Sequence, residues 1–110
     1  MARAEQIYLG TENRVVRELT RNGAPLSDHD KDAITRVQAW FSDTVCLDTD
    51  NATDPIEYAD GSITMQPGLI AGLEAGEITV HLTVFDHDHD QGLAWGSFPA
   101  EVQDWPKCEG

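Results

Sequence analysis

Five consecutive residues, Asp86-His87-Asp88-His89-Asp90, hold the densest set of potential metal ligands in the chain. In extended backbone alternate side chains share a face. Asp86, Asp88 and Asp90 are therefore expected together, with His87 and His89 opposite. Three carboxylates are hard oxygen ligands suited to calcium; two imidazoles suit zinc. The spacing Asp-x-Asp-x-Asp matches the opening of an EF-hand loop and then departs from it. Gly92 comes one residue late, Ser97 stands where a glutamate is needed, and no flanking helices are expected. Calcium is thus the one cofactor the sequence suggests. The competing reading is a solvated hairpin tip, which is also a suitable contact surface for a partner protein through His87 and His89.

Other catalytic arrangements are missing from the sequence. Hydrolytic chemistry needs a nucleophile, a base and an orienting group. The Ser, His and Asp residues here form no nucleophile elbow or pairing motif. There is no glycine-rich phosphate loop and no pair of Cys-x-x-Cys motifs. His29, between Asp28 and Asp30, reads as surface. His81 alternates with apolar neighbours and is expected to face solvent or the second sheet face. Trp40, Trp95 and Trp105 could form a sugar- or partner-binding surface, but the strand settings of Trp40 and Trp95 point to the core. The expectation is a non-enzymatic protein.

The chain of 110 residues is near the usual size of one domain, and 40% hydrophobic content supports a core. No apolar run approaches the roughly 20 residues a membrane span needs, and Met1 to Gln6 lack the apolar stretch of a signal peptide. Cys46 and Cys108 make no disulfide framework; two reduced thiols are expected, with a single bridge as the alternative. The formal charge of −13 is uneven. Residues 1–36 hold six of the seven Lys and Arg against six acidic residues; residues 37–110 hold only Lys107 against fourteen. Direct nucleic-acid binding through the later region is disfavoured. An acidic field instead favours basic partners, cations and solubility.

The elements that must position these residues are strands. Ile78, Val80, Leu82 and Val84 alternate with Thr79, His81 and Thr83, the period of a half-buried β-strand. The polar stretch from Asp86 to Gly92 then leads to a second apolar run at Leu93-Ala94-Trp95, which reads as a hairpin. Gln6 to Leu9 is a short apolar run, and Arg14 to Leu19 an edge strand whose charges discourage pairing. Ser27-Asp28-His29-Asp30 resembles a helix cap, with Ala33, Val37 and Trp40 on one helical face. Ile34 to Phe41 also alternates, placing Thr35, Val37, Ala39 and Phe41 on one side, and the β-formers there favour a strand. Thr44 to Leu47 is a further strand, and Asp60-Gly61 joins two more in a tight turn. Residues 67–75 are expected to make one short helical turn. Pro99 places the last strand at an edge or bulge, and residues 103–110 read as a mobile tail unless Trp105 or Cys108 ties it down. About seven short strands indicate an all-β chain folded as one antiparallel, immunoglobulin-like β-sandwich, with a jelly roll or small barrel as the alternative.

Three stretches carry a resemblance: Ile7-Tyr8-Leu9-Gly10-Thr11-Glu12-Asn13, Pro67 to Gly76 leading into Val80–Phe85, and Gly92-Leu93-Ala94-Trp95-Gly96. Here the chain resembles the small β-sandwich structural proteins of tailed bacteriophages and prophages. The resemblance implies a virion component, at the head surface, the head–tail junction or the tail. It would assemble in multiple copies on other virion proteins, in the bacterial host cytoplasm and then in the particle, with no membrane and no catalytic residues. Arg14 and Arg17 are candidate partner-binding residues for an acidic neighbour. Two further functions fit the sequence: a calcium- or ligand-binding module using the loop at 86–90, and an acidic mimic of DNA.

Overall fold

In the computed structural model the described residues are 4–21, 23–70 and 72–106. Their elements run β1 (Glu5–Leu9), β2 (Val15–Glu18), β3 (Thr20–Arg21), β4 (Ala24–Pro25), α1 (Asp28–Ala33), β5 (Ile34–Trp40), β6 (Cys46–Asp48), β7 (Ile56–Ala59), β8 (Ser62–Met65), β9 (Gly76–Asp86) and β10 (His89–Asp104), with a 3-10 turn at Pro67–Leu69. One sheet has the order β1-β10-β9-β5-β6, a second the order β2-β8-β7, and β3-β4 form a small ribbon. Neighbours are antiparallel except β1 and β10, which run parallel from Glu5↔Ala100 to Leu9↔Asp104. The chain is all-β, as its alternation indicates.

Both larger sheets turn one face into the same core. Val80, Leu82 and Val84 of β9 are buried beside Phe98, Ala100 and Val102 of β10, and beside Val37 and Ala39 of β5. Ile63 and Met65 of β8, Val15 of β2 and Ile56 of β7 complete the same cluster from the second sheet. Strand periodicity explains the selection: every second side chain points inward, so the apolar phase of each strand decides which face is covered. Ile63 is fully enclosed, at 0% exposure.

The segment before β5 divides between its two expected conformations. The Ser27 side chain accepts a hydrogen bond from the Asp30 N–H at 3.2 Å, a helix N-cap, and α1 follows. The helix stops at Ala33, because Ile34 is extended and β5 begins there. The Asp60-Gly61 turn joins β7 to β8 with φ of +48° and +83°, the left-handed pair that a two-residue hairpin needs.

Four expectations need correction. Pro99 lies in β10, which is flanked by β9 and β1 and is not an edge strand. The position is tolerated because β1 pairs only from Ala100 onward, leaving that side of Pro99 uncovered. Trp40 is half-buried outside the core, since it falls out of phase with the inward-facing Val37 and Ala39, whereas Trp95, at the register shift between Ala94 and Gly96, is half-buried and packs against the core as expected. Gln103 and Asp104 belong to β10, and the Trp105 ring stacks edge-on to Tyr8 at 4.9 Å, so the tail is held to residue 105. Lys107 to Gly110, and with them Cys108 and its possible bridge to Cys46, lie outside the described residues. Finally, the central hairpin turns more tightly than a seven-residue polar loop: only His87 and Asp88 separate β9 from β10.

Gly68 shows how closely the connection after β8 is packed. A Cβ placed there would lie 2.2 Å from the Tyr8 carbonyl oxygen, while the Gly10 N–H donates to the Gly68 carbonyl at 2.7 Å. Backbone cannot yield as a side chain can. Gly68→Ala is expected to lower stability by about 2 kcal/mol, and Ile63→Ala by roughly 3 kcal/mol through the cavity it leaves. Urea denaturation at neutral pH measures both.

Candidate partner-binding surface

The hairpin tip does not place its acidic residues as extended backbone would. Asp86 ends β9, His87 and Asp88 form the turn, and His89 pairs across to Asp86 as β10 begins. The Asp86 carboxylate accepts the Asp88 N–H at 2.9 Å and contacts His89 Nδ1 at 2.7 Å. These hydrogen bonds, that from His89 foremost, hold the Asp86 carboxyl below its usual range. The turn therefore corrects the expected separation of histidine and aspartate faces: Asp86 and His89 meet, while His87 and Asp88 are exposed.

Asp86 and Asp90 do line one hollow, together with Asp50, Thr35, Phe85 and Arg36. The cation in that hollow is the protein's own. The Arg36 guanidinium lies 4.8 Å from the Phe85 ring centroid, and its Nε lies 3.5 Å from Asp50 Oδ2. Nε also donates to Asp48 Oδ1 at 2.9 Å, with Nη2 bonded to Asp48 Oδ2. Gln38 Nε2 donates to the same carboxylate at 3.0 Å. The hydrogen bonds from Arg36, then Gln38, hold the Asp48 carboxyl far below the normal carboxylate range. Among the described residues, no three His, Cys, Asp or Glu side chains gather as a metal site. Beside this network the Cys46 thiol is pushed up to about 11, chiefly by burial and then by Asp48, so it stays protonated at neutral pH and is a poor nucleophile.

The two candidate arginines differ. Arg14 is exposed. Arg17, on β2, donates to Glu5 Oε1 on β1 at 3.0 Å, and its guanidinium sits 4.4 Å above the Phe98 ring. It ties the edge of one sheet to the edge of the other and covers a core aromatic. The fold thus uses Arg17 within the chain, beside the contact with an acidic neighbour expected of it, and its side chain stays 38% exposed.

A further surface, which the sequence reading set aside by favouring the core for Trp40, lies on the outward face of the five-stranded sheet. Trp40 of β5 stands directly across from His81 of β9. They line a groove of about 590 Å³ with Ser42, Asp43, Ile78 and Thr79. The Trp40 Nε1–H donates to Gln38 Oε1 at 3.3 Å, which fixes the edge of the indole and leaves its position set by the sheet. The signal was present: the alternation that sends Val37 and Ala39 inward sends Trp40 outward.

Two outcomes follow. Arg17→Ala is expected to lower stability by about 1 kcal/mol through the lost ion pair and ring contact, while Arg14→Ala changes it by less than about 0.5 kcal/mol; paired thermal melts compare them. Because the folded state depresses the Asp48 carboxyl, its contribution is complete above the unfolded value of roughly 4 and declines as pH falls below it. Asp48→Asn should therefore cost stability at pH 7 and progressively less between about pH 4 and pH 2, as a pH series of melts would show.

No helix among the described residues is long and apolar enough to cross a membrane. Searches of family models, of curated proteins and of solved structures returned no match to this chain.

Proposed function

We propose that the chain is an immunoglobulin-like β-sandwich that acts without catalysis, as a structural protein of a tailed-bacteriophage virion assembled through protein–protein contacts. The observation that carries the reading is the strand arrangement. A first strand closes in parallel on the last, and the order β1-β10-β9-β5-β6 faces β2-β8-β7 across one shared core. That architecture leaves a broad outward sheet face and rigid loop ends, the parts through which such sandwiches bind partners. The ionisable groups with displaced titration also have structural explanations. Asp48 and Arg36 hold β5 to β6, Asp86 fixes the hairpin turn, and the Tyr58 hydroxyl donates to the Lys31 carbonyl at 2.7 Å.

Particles induced from the source strain and purified on a density gradient test the reading. Antibody against the chain is expected to label them at a repeated position by electron microscopy. Purified particles without label would overturn it. Light scattering of the isolated protein, with calcium and with chelator, is expected to give one mass in both conditions; a calcium-dependent mass or melting temperature would instead favour a cation-binding module.

A further inference from the structure

The groove beside Trp40 continues into two neighbouring hollows, and Ile78 lines all three. One neighbour adds Pro99 and Glu101; the other adds Leu73 and Glu74. Glu77 lines both of these, and Asp43 lines the first. Among the described residues, no lysine or arginine lines any of the three. Trp40 and Pro99 give the groove its outward apolar surface, with the partly buried Ile78 at its floor, and among the described residues the charged groups that border it are carboxylates, beside the neutral side chains of Ser42, Thr44 and Thr79 and the imidazole of His81.

Two of those carboxylates are placed against each other. Glu77 and Glu101 are register partners on β9 and β10. Val80 on β9 and Ala100 on β10 point inward, so both glutamates belong to the outward phase. Like charges directly opposite across a sheet are destabilising. Two other acids meet the protein's own cations, at Arg36–Asp48 and Arg17–Glu5. At this groove it sets two acids side by side.

From this we infer that the outward groove running past Trp40 and Pro99 docks a partner protein's segment, in which apolar residues enter between Trp40 and Pro99 and flanking lysines or arginines meet Glu77, Glu101 and Asp43. The inference rests on the reading of the chain as a protein-binding domain and names the surface and the partner class. A second copy of the chain is the wrong occupant: it would bring a net charge of −13 against the same sign. A basic segment is drawn in by the same field, and its charged groups relieve the Glu77–Glu101 repulsion when bound.

The probe is a fluorescent nonapeptide with Ile-Leu-Phe at its centre and three lysines on either side, titrated with the intact protein at 50 mM salt. Binding in the micromolar range is expected, weakened at least tenfold when glutamates replace the lysines or serines replace the apolar centre. Glu101→Gln is expected to weaken binding about fivefold while raising the melting temperature by about 2 °C, since it removes one of two opposed charges. Glu18→Gln, on the other sheet, carries the same change in net charge and is expected to leave affinity unchanged. Equal loss in both variants, indifference to peptide charge, or a melting temperature that falls in Glu101→Gln would overturn the inference. Peptide binding lost with particle labelling intact refutes this groove alone; labelling absent with groove binding intact refutes the virion reading alone.

Discussion

The fold depends on the position of β9 between β10 and β5. Its alternation has only two phases, and one of them buries Val80, Leu82 and Val84. A slip of one residue against either neighbour would expose all three and draw Thr79, His81 and Thr83 into the core. The loss would be several kcal/mol, set against a total stability of roughly 5–15 kcal/mol. Register is thereby strongly specified on both sides. With it comes the outward face, because Glu77, Thr79 and His81 can only occupy the phase that the core leaves. The composition of the groove is in this sense a by-product of packing, made specific by which polar residues fill the remaining positions.

Arg36 and Arg17 illustrate how a chain with few basic groups uses them. Each carries its charge to a carboxylate and its flat face to an aromatic ring, Phe85 for Arg36 and Phe98 for Arg17. A guanidinium serves both purposes where an ammonium would not, because it is planar and weakly hydrated. The two arginines act at opposite places: Arg36 joins neighbouring strands of one sheet, and Arg17 links the sheets through β1 and β2.

Much of the fold was legible from local pattern. The β9 alternation, the Asp60-Gly61 turn and the cap at Ser27 each rest on short-range rules, and each stands in the structure. What could not be read was pairing over long sequence distance. The neighbours of β10 are set by β1, nearly a whole chain away, so Pro99 looked like an edge residue. The partners of Arg36 and Arg17 likewise come from distant strands, and this is why an acidic loop read as a cation site already has a guanidinium beside it. The groove combines residues from β5, β9 and β10 and the connections around them; no contiguous motif announces it. Strand phase places Trp40 outward, although its strand setting reads as core.

The parallel pairing of β1 with β10 has a mechanical meaning. The chain enters at the Glu5 end of one strand and leaves at the Asp104 end of its neighbour, so the two ends lie at opposite ends of the pair. Tension applied through the ends pulls the strands lengthwise in opposite directions. All the hydrogen bonds between them are loaded together in shear instead of being opened one after another, as they would be in an antiparallel terminal pair. Resistance to such tension is a matter of unfolding rate more than of equilibrium stability. A domain built this way can sit in a chain or assembly under load and transmit the pull through one short strand pair, with its core and its outward face undisturbed until that pair gives way.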